Sequence, residues 1–103
     1  MAAQASEVAT YQNYIGGEWV DAVSGETSEN RDPATGEVIG IFPRSGAEDV
    51  NRAVAAARKA FDGWRLTPAP KRGEILYRVG QLLAERKEEI ARALTQEMGK
   101  VLV

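Results

Sequence analysis

Glu37-Val38-Ile39-Gly40-Ile41-Phe42-Pro43-Arg44-Ser45-Gly46-Ala47-Glu48, residues 37–48, holds the change of period on which the fold turns. Its first half is β-branched and reads as a strand, which Pro43 ends because a prolyl nitrogen has no hydrogen to give a ladder. Its second half opens a helix. Ser45-Gly46-Ala47-Glu48 fits a capping box in which Ser45 accepts from the Glu48 amide and Glu48 reaches back. Gly46 as the N-cap, one residue on, is the alternative. Upstream of this junction the chemistry is that of strands and turns, and downstream it is helical.

Working back toward the N-terminus, Asp32-Pro33-Ala34-Thr35-Gly36 is dense in turn formers, and Thr27–Arg31 before it reads as an extended piece. Ser24-Gly25-Glu26 is a further turn. In Tyr14-Ile15-Gly16-Gly17-Glu18-Trp19-Val20 two short apolar runs flank Gly-Gly, a hairpin signal, because a two-residue loop with positive φ suits the twist of the flanking strands. Met1–Thr10 is Ala-rich and polar, carries Glu7 and lacks a basic start. It is neither a secretory signal nor an Arg-rich transit segment, and residues 1–12 are expected to be a disordered tail of a cytoplasmic protein.

Working forward, Val50, Ala53, Val54, Ala57, Phe61 and Trp64 share one helical stripe, with Asp62-Gly63 as its stop. A second helix is expected after Thr67 as N-cap, with Pro68 at its first position and Ile75, Leu76, Val79, Leu82 and Leu83 as its buried stripe. Gly80 within it is expected to mark close packing. Lys87–Met98 carries Ile90, Leu94 and Met98 and ends at Gly99, a good C-cap. The second and third segments are either one bent helix or two. The fold class is therefore α+β: an N-terminal β-hairpin and short strands, then two or three amphipathic helices.

Composition limits the chemistry. The 103 residues contain no cysteine and no histidine, which removes disulfides, thiolate nucleophiles, thiolate zinc sites and the commonest general base. Net charge is −2, unsuited to nucleic acid, and no apolar run is long enough to span a membrane. Residues 1–43 hold seven acids and one base, whereas residues 44–103 hold eight acids and twelve bases. The basic excess is read as helix faces carrying Arg, Lys and Glu pairs, or as a surface for phosphate or an acidic partner. Gly16-Gly17, Gly36, Gly40 and Gly46 are too scattered to cradle a phosphate. Glu48–Asp49 and Glu88–Glu89 are first-turn acids facing a helix dipole, Lys100 lies beside a helix C-terminus, and Trp19 and Trp64 are expected to anchor packing. No residue emerges as catalytic or cofactor-binding.

Four collinear blocks nevertheless resemble the N-terminal region of the aldehyde dehydrogenase superfamily. They are Tyr14–Val20 with Asn30-Arg31-Asp32-Pro33-Ala34-Thr35-Gly36-Glu37-Val38-Ile39-Gly40, then Ala47–Phe61, then Arg72-Gly73-Glu74-Ile75-Leu76, and last Glu97-Met98-Gly99-Lys100. Asp32 departs from the family's usual asparagine, a conservative change because either side chain caps turn amides. The resemblance covers residues 13–103 and implies an incomplete part of a cofactor-binding domain of that α/β fold.

The implied activity is NAD(P)-dependent oxidation of an aldehyde to a carboxylic acid. A cysteine thiolate attacks the aldehyde, hydride passes to nicotinamide, and an activated water hydrolyses the thioester. Those parts lie downstream of the matched region, so the chain is expected to be an inactive N-terminal fragment that binds no NAD or NADP itself. Its partner would be the remainder of the dehydrogenase chain, in a homodimer or homotetramer. The alternative is a stand-alone interaction module. The opening and ending are reminiscent of bacterial semialdehyde dehydrogenases, such as those acting on 2-oxoglutarate semialdehyde. The resemblance also implies a sodium or potassium ion near Asn30, Glu97 and the Arg31 carbonyl, oxygen donors suited to a hard cation. Without an ion, Asn30 simply ends a strand and Glu97 sits exposed near a helix end.

Overall fold

A computed structural model describes residues 8–102. Strands β1 (Asn13–Ile15) and β2 (Glu18–Val20) form the expected antiparallel hairpin, with Tyr14 opposite Trp19. Gly16 and Gly17 both take positive φ, 62° and 84°, which a side chain would resist and which the tight turn requires. The rings of Tyr14 and Trp19 meet with centroids 4.8 Å apart.

Strands β3 (Thr27–Arg31) and β4 (Val38–Pro43) form a second antiparallel pair. The register runs from Thr27 opposite Pro43 to Asn30 opposite Gly40, then shifts so that Arg31 faces Val38. Ile39 is thus one extra residue on β4, a β-bulge facing the Asn30–Arg31 step. The turn between the strands is built by Asp32. Its Oδ1 accepts from the Ala34 amide at 2.8 Å, its carbonyl accepts from Gly36 at 2.8 Å, and its own amide donates to Glu37 O at 2.9 Å. Aspartate does here the capping expected of the asparagine it replaces.

The expected tail corrects in part. Met1–Glu7 lie outside the described residues, but from Ala9 onward the chain lies along β4. Ile41 N donates to Ala9 O at 3.0 Å, and Tyr11 N donates to Ile41 O at 2.8 Å. Tyr11 then stacks on Phe42 with 4.8 Å between centroids. Gly40 is buried between them, where a Cβ would come within 2.8 Å of the Phe42 ring.

Helix α1 (Ala47–Leu66) is capped at Gly46, the alternative start, and passes the expected stop at Asp62-Gly63. One glycine costs about 1 kcal/mol in a helix, which does not end it. Pro68 does, because it drives Thr67 into an extended conformation (φ −67°, ψ 130°). Thr67 therefore closes α1 rather than opening the next helix, its amide donating to Trp64 O at 3.0 Å and its hydroxyl to Gly63 O at 2.8 Å. Pro68 is the N-cap of α2 (Ala69–Glu85). The single residue Arg86 separates α2 from α3 (Lys87–Met98), so the two segments are two helices. Gly99 closes α3 in the left-handed conformation, as expected, its amide reaching Thr95 O at 2.8 Å.

The amphipathic stripes form as read but are not buried. Among the described residues only Ala22, Gly40 and Asp49 are buried, while Val54, Phe61, Leu76 and Leu83 are all more than half exposed. Trp19, though packed on Tyr14, and Trp64 are exposed too, and a Cβ on Gly80 would meet nothing within 4 Å, so among the described residues neither tryptophan is buried and Gly80 marks no close contact. The radius of gyration is 17.5 Å, against about 13 Å for a compact domain of this length. Among the described residues no helix is long and apolar enough to cross a membrane.

Candidate functional site

Asn30 is half-buried in β3 opposite Gly40, and Arg31 follows it at the bulge. The Arg31 guanidinium is engaged locally, donating to Gly36 O at 2.9 Å and pairing with the Glu29 carboxylate. Glu97 is exposed in the last turn of α3. The fold brings these neighbourhoods together, because the end of α3 rests on the β3–β4 turn. Pro33 Cγ lies 3.6 Å from where a Cβ of Gly99 would stand. Asp32, Ala34, Arg92, Thr95 and Gln96 line the shallow cavity between them. Among the described residues no group of three or more His, Cys, Asp or Glu side chains is placed to hold a metal ion.

Asp49 is the group that sequence reasoning missed. It reads as one of two dipole-facing acids, yet it is nearly fully buried and joins the β-rich half to α1. Its Oδ2 accepts from the Gly46 amide at 2.9 Å and its Oδ1 from the Val23 amide at 2.9 Å. The first of these is the reaching-back half of a capping box, three residues along from Gly46 rather than from Ser45. The Gly46 amide first, then the Val23 amide and the nearby Arg52 cation, hold the Asp49 carboxyl below its ordinary value of 3.8, against desolvation.

A depressed carboxylate stabilises the folded form fully above its ordinary pKa, and that stabilisation is lost as pH falls through the lower folded value. The Val23 amide is therefore expected to stay protected from hydrogen exchange down to pH 3.8 and to open below it. Asp49→Asn is expected to raise Val23 exchange on the order of tenfold at neutral pH, the usual scale for losing a charge-assisted hydrogen bond. Exchange measured by NMR on both forms checks this, and an unchanged Val23 rate in the variant would count against the clamp.

All three helices carry exposed apolar stripes. Val50, Val54, Phe61 and Trp64 on α1, Ile75, Leu76, Val79 and Leu83 on α2, and Ile90, Leu94 and Met98 on α3 all face solvent. Patches of this extent on a soluble protein mark contact surfaces. The positive-φ glycines, by contrast, are all spent on local structure: Gly16 and Gly17 on the hairpin, Gly25 and Gly36 on turns, Gly99 on a helix cap.

Comparison with known proteins gives consistent results. Residues 19–103 match the sequence model of the Aldehyde dehydrogenase family. Malonate-semialdehyde dehydrogenase 1 of Geobacillus thermodenitrificans is 52% identical over 93 residues, which cover 90% of this chain and 19% of the relative. An NAD-dependent aldehyde dehydrogenase from Sinorhizobium meliloti superposes with a TM-score of 0.88 at 38% identity, covering 96% of this chain and 20% of that one. Succinate-semialdehyde dehydrogenase from Burkholderia pseudomallei does so at 0.80 and 44% identity, covering 84% and 18%. The chain thus spans about a fifth of the length of the relatives it matches.

Proposed function

The chain belongs to the aldehyde dehydrogenase family, and we propose that it supplies the first fifth of an NAD(P)-dependent enzyme that oxidises a semialdehyde to its carboxylic acid. The observation that carries this reading is the open face of α1, α2 and α3 on a chain spanning 19% of its relatives. The remaining four fifths of such an enzyme is what covers that face. The names of the relatives favour a short semialdehyde bearing a carboxylate.

In this reading the chain's own residues act as scaffold. Among the described residues the positive-φ glycines serve turns and a helix cap. The nicotinamide, when bound elsewhere in the enzyme, accepts the hydride. Asn30, the Arg31 carbonyl and Glu97 offer oxygen donors of the kind a sodium or potassium ion takes. The bulge at Ile39 interrupts the ladder opposite Asn30–Arg31, and the end of α3 lies on the adjoining turn.

A chimera tests the proposal. Residues 8–102 replace the matching segment of the Geobacillus thermodenitrificans malonate-semialdehyde dehydrogenase. The chimera is expected to be soluble and to oxidise malonate semialdehyde with NAD within about tenfold of the parent rate, because segments that fold alike and pack alike cost little. Val54→Glu in the chimera puts a charge into the covered face and is expected to abolish soluble expression. A soluble but inactive chimera, or one indifferent to Val54→Glu, would overturn the reading.

A further inference from the structure

A two-stranded sheet has two outer edges, and bare amides and carbonyls along an edge are a template on which a strand of another chain can add. The two edges of the β3–β4 sheet differ in chemistry. Strand β3 carries Glu29 and Arg31, both exposed, and charge on an edge strand deters such pairing. Strand β4, Val38–Pro43, carries no charge at all, and short uncharged runs of high β-propensity are the ones that assemble. We propose that Ala9–Tyr11 is an edge guard, seated along β4 so that a strand from a second copy does not add there.

The seating is on the one residue that needs it most. Ile41 turns both its amide and its carbonyl toward the guard, the amide donating to Ala9 O at 3.0 Å and the carbonyl accepting from Tyr11 N at 2.8 Å. Thr10 thereby bridges Ile41 in parallel. By the period of two, Pro43 faces the same edge and has no N–H to offer it. On the other side of Ile41 stands Ile39, the bulged residue, which bends that stretch of the edge out of line. The Tyr11 ring fastens the guard, lying on Phe42 with an angle of 10° between the ring planes. The stack requires glycine at position 40. A Cβ there would stand 2.8 Å from the Phe42 ring and 3.2 Å from the Tyr11 ring, so one of the two would have to leave. Gly40 is not among the positive-φ glycines, and the space that it leaves for these rings gives it a role that backbone conformation does not.

Thioflavin T fluorescence and amide exchange on the full 103-residue chain test the guard. At about 100 μM, where weak association is populated, the chain is expected to leave the dye dark and to protect the Ile41 amide. Tyr11→Pro removes the amide that reaches Ile41 O together with the stacked ring. It is expected to speed Ile41 exchange on the order of tenfold and to turn the dye on. Gly40→Ala, which bares the edge without touching residues 9–11, is expected to do the same. Tyr11→Phe keeps both the amide and a ring and is expected to behave as the parent. Ile39→Lys added to Tyr11→Pro puts a charge into the bared run and is expected to darken the dye again. The Gly36 amide, held by Asp32 O, reports that the β3–β4 turn survives in each variant. Association through the helix stripes builds no strands and leaves the dye dark, so it is told apart from edge pairing. Ile41 exchange as fast in the parent as in Tyr11→Pro, a bared edge that stays dark, or assembly that persists with Ile39→Lys would overturn the proposal.

Discussion

Purified as the 103-residue chain and freed of host dehydrogenases, the protein is expected to oxidise no aldehyde with NAD or NADP. Enzymes of ordinary competence turn over at about 1–10³ per second, whereas here nicotinamide reduction should be indistinguishable from a blank. The chemistry leaves little alternative. A thioester route needs a thiolate, and the chain has no cysteine at any position. Proton transfer at neutral pH is most often the work of histidine, which is absent too. Asp49, the buried carboxylate with a depressed pKa, holds two backbone amides and has no free role as a base. Absorbance at the reduced-nicotinamide band, with malonate semialdehyde and succinate semialdehyde as substrates, checks this. Reproducible turnover would show a mechanism independent of the family's cysteine.

The second large effect concerns cooperativity. A folded domain of this size loses structure in urea in one steep step, with a slope of about 1–3 kcal/mol/M. Among the described residues a single apolar side chain, that of Ala22, is buried to couple the parts. In dilute solution its far-UV signal is expected to decline broadly, with an apparent slope below about 0.5 kcal/mol/M. The helices then fray as separate units, and isolated helices of 12 to 20 residues are marginal in water. A steep transition in dilute solution would mean that the helices stabilise one another far more than their exposed stripes allow.

Much of the local structure is legible in the residues, and for stated reasons. Gly16-Gly17 between aromatic and β-branched residues, the Asp32–Gly36 turn and the Gly99 cap each depend on neighbours close in sequence, and each forms where expected. The boundary of α1 is less legible. Asp62-Gly63 looks like a stop, yet the decisive constraint sits at Pro68, acting backward on Thr67. Features that depend on distant partners are not legible at all. The clamp from Asp49 to Val23 spans 26 positions, and nothing at either end announces the other. The pairing of residues 9–11 with β4 escapes for the same reason. The Asn30, Arg31 and Glu97 neighbourhoods were suggested only by resemblance, because the bulge that disturbs the ladder beside Asn30 lies on the opposite strand, at Ile39. The stripes were legible as amphipathic, but periodicity states which residues want cover and is silent on whether the cover is in the same chain.

The joint at Arg86 has a consequence for how such a chain tolerates change in length. With a single residue between α2 and α3, the two helices are indexed to each other like toothed wheels on short shafts. Each residue turns a helix by about 100°. One residue inserted or removed at the joint would swing Ile90, Leu94 and Met98 away from the side they now share, and bring Glu88 or Arg92 round in their place. Point changes at Arg86 disturb one side chain, whereas a change of length there re-aims a whole helix. That makes this joint a place where codon-length insertions and deletions should be far scarcer than substitutions.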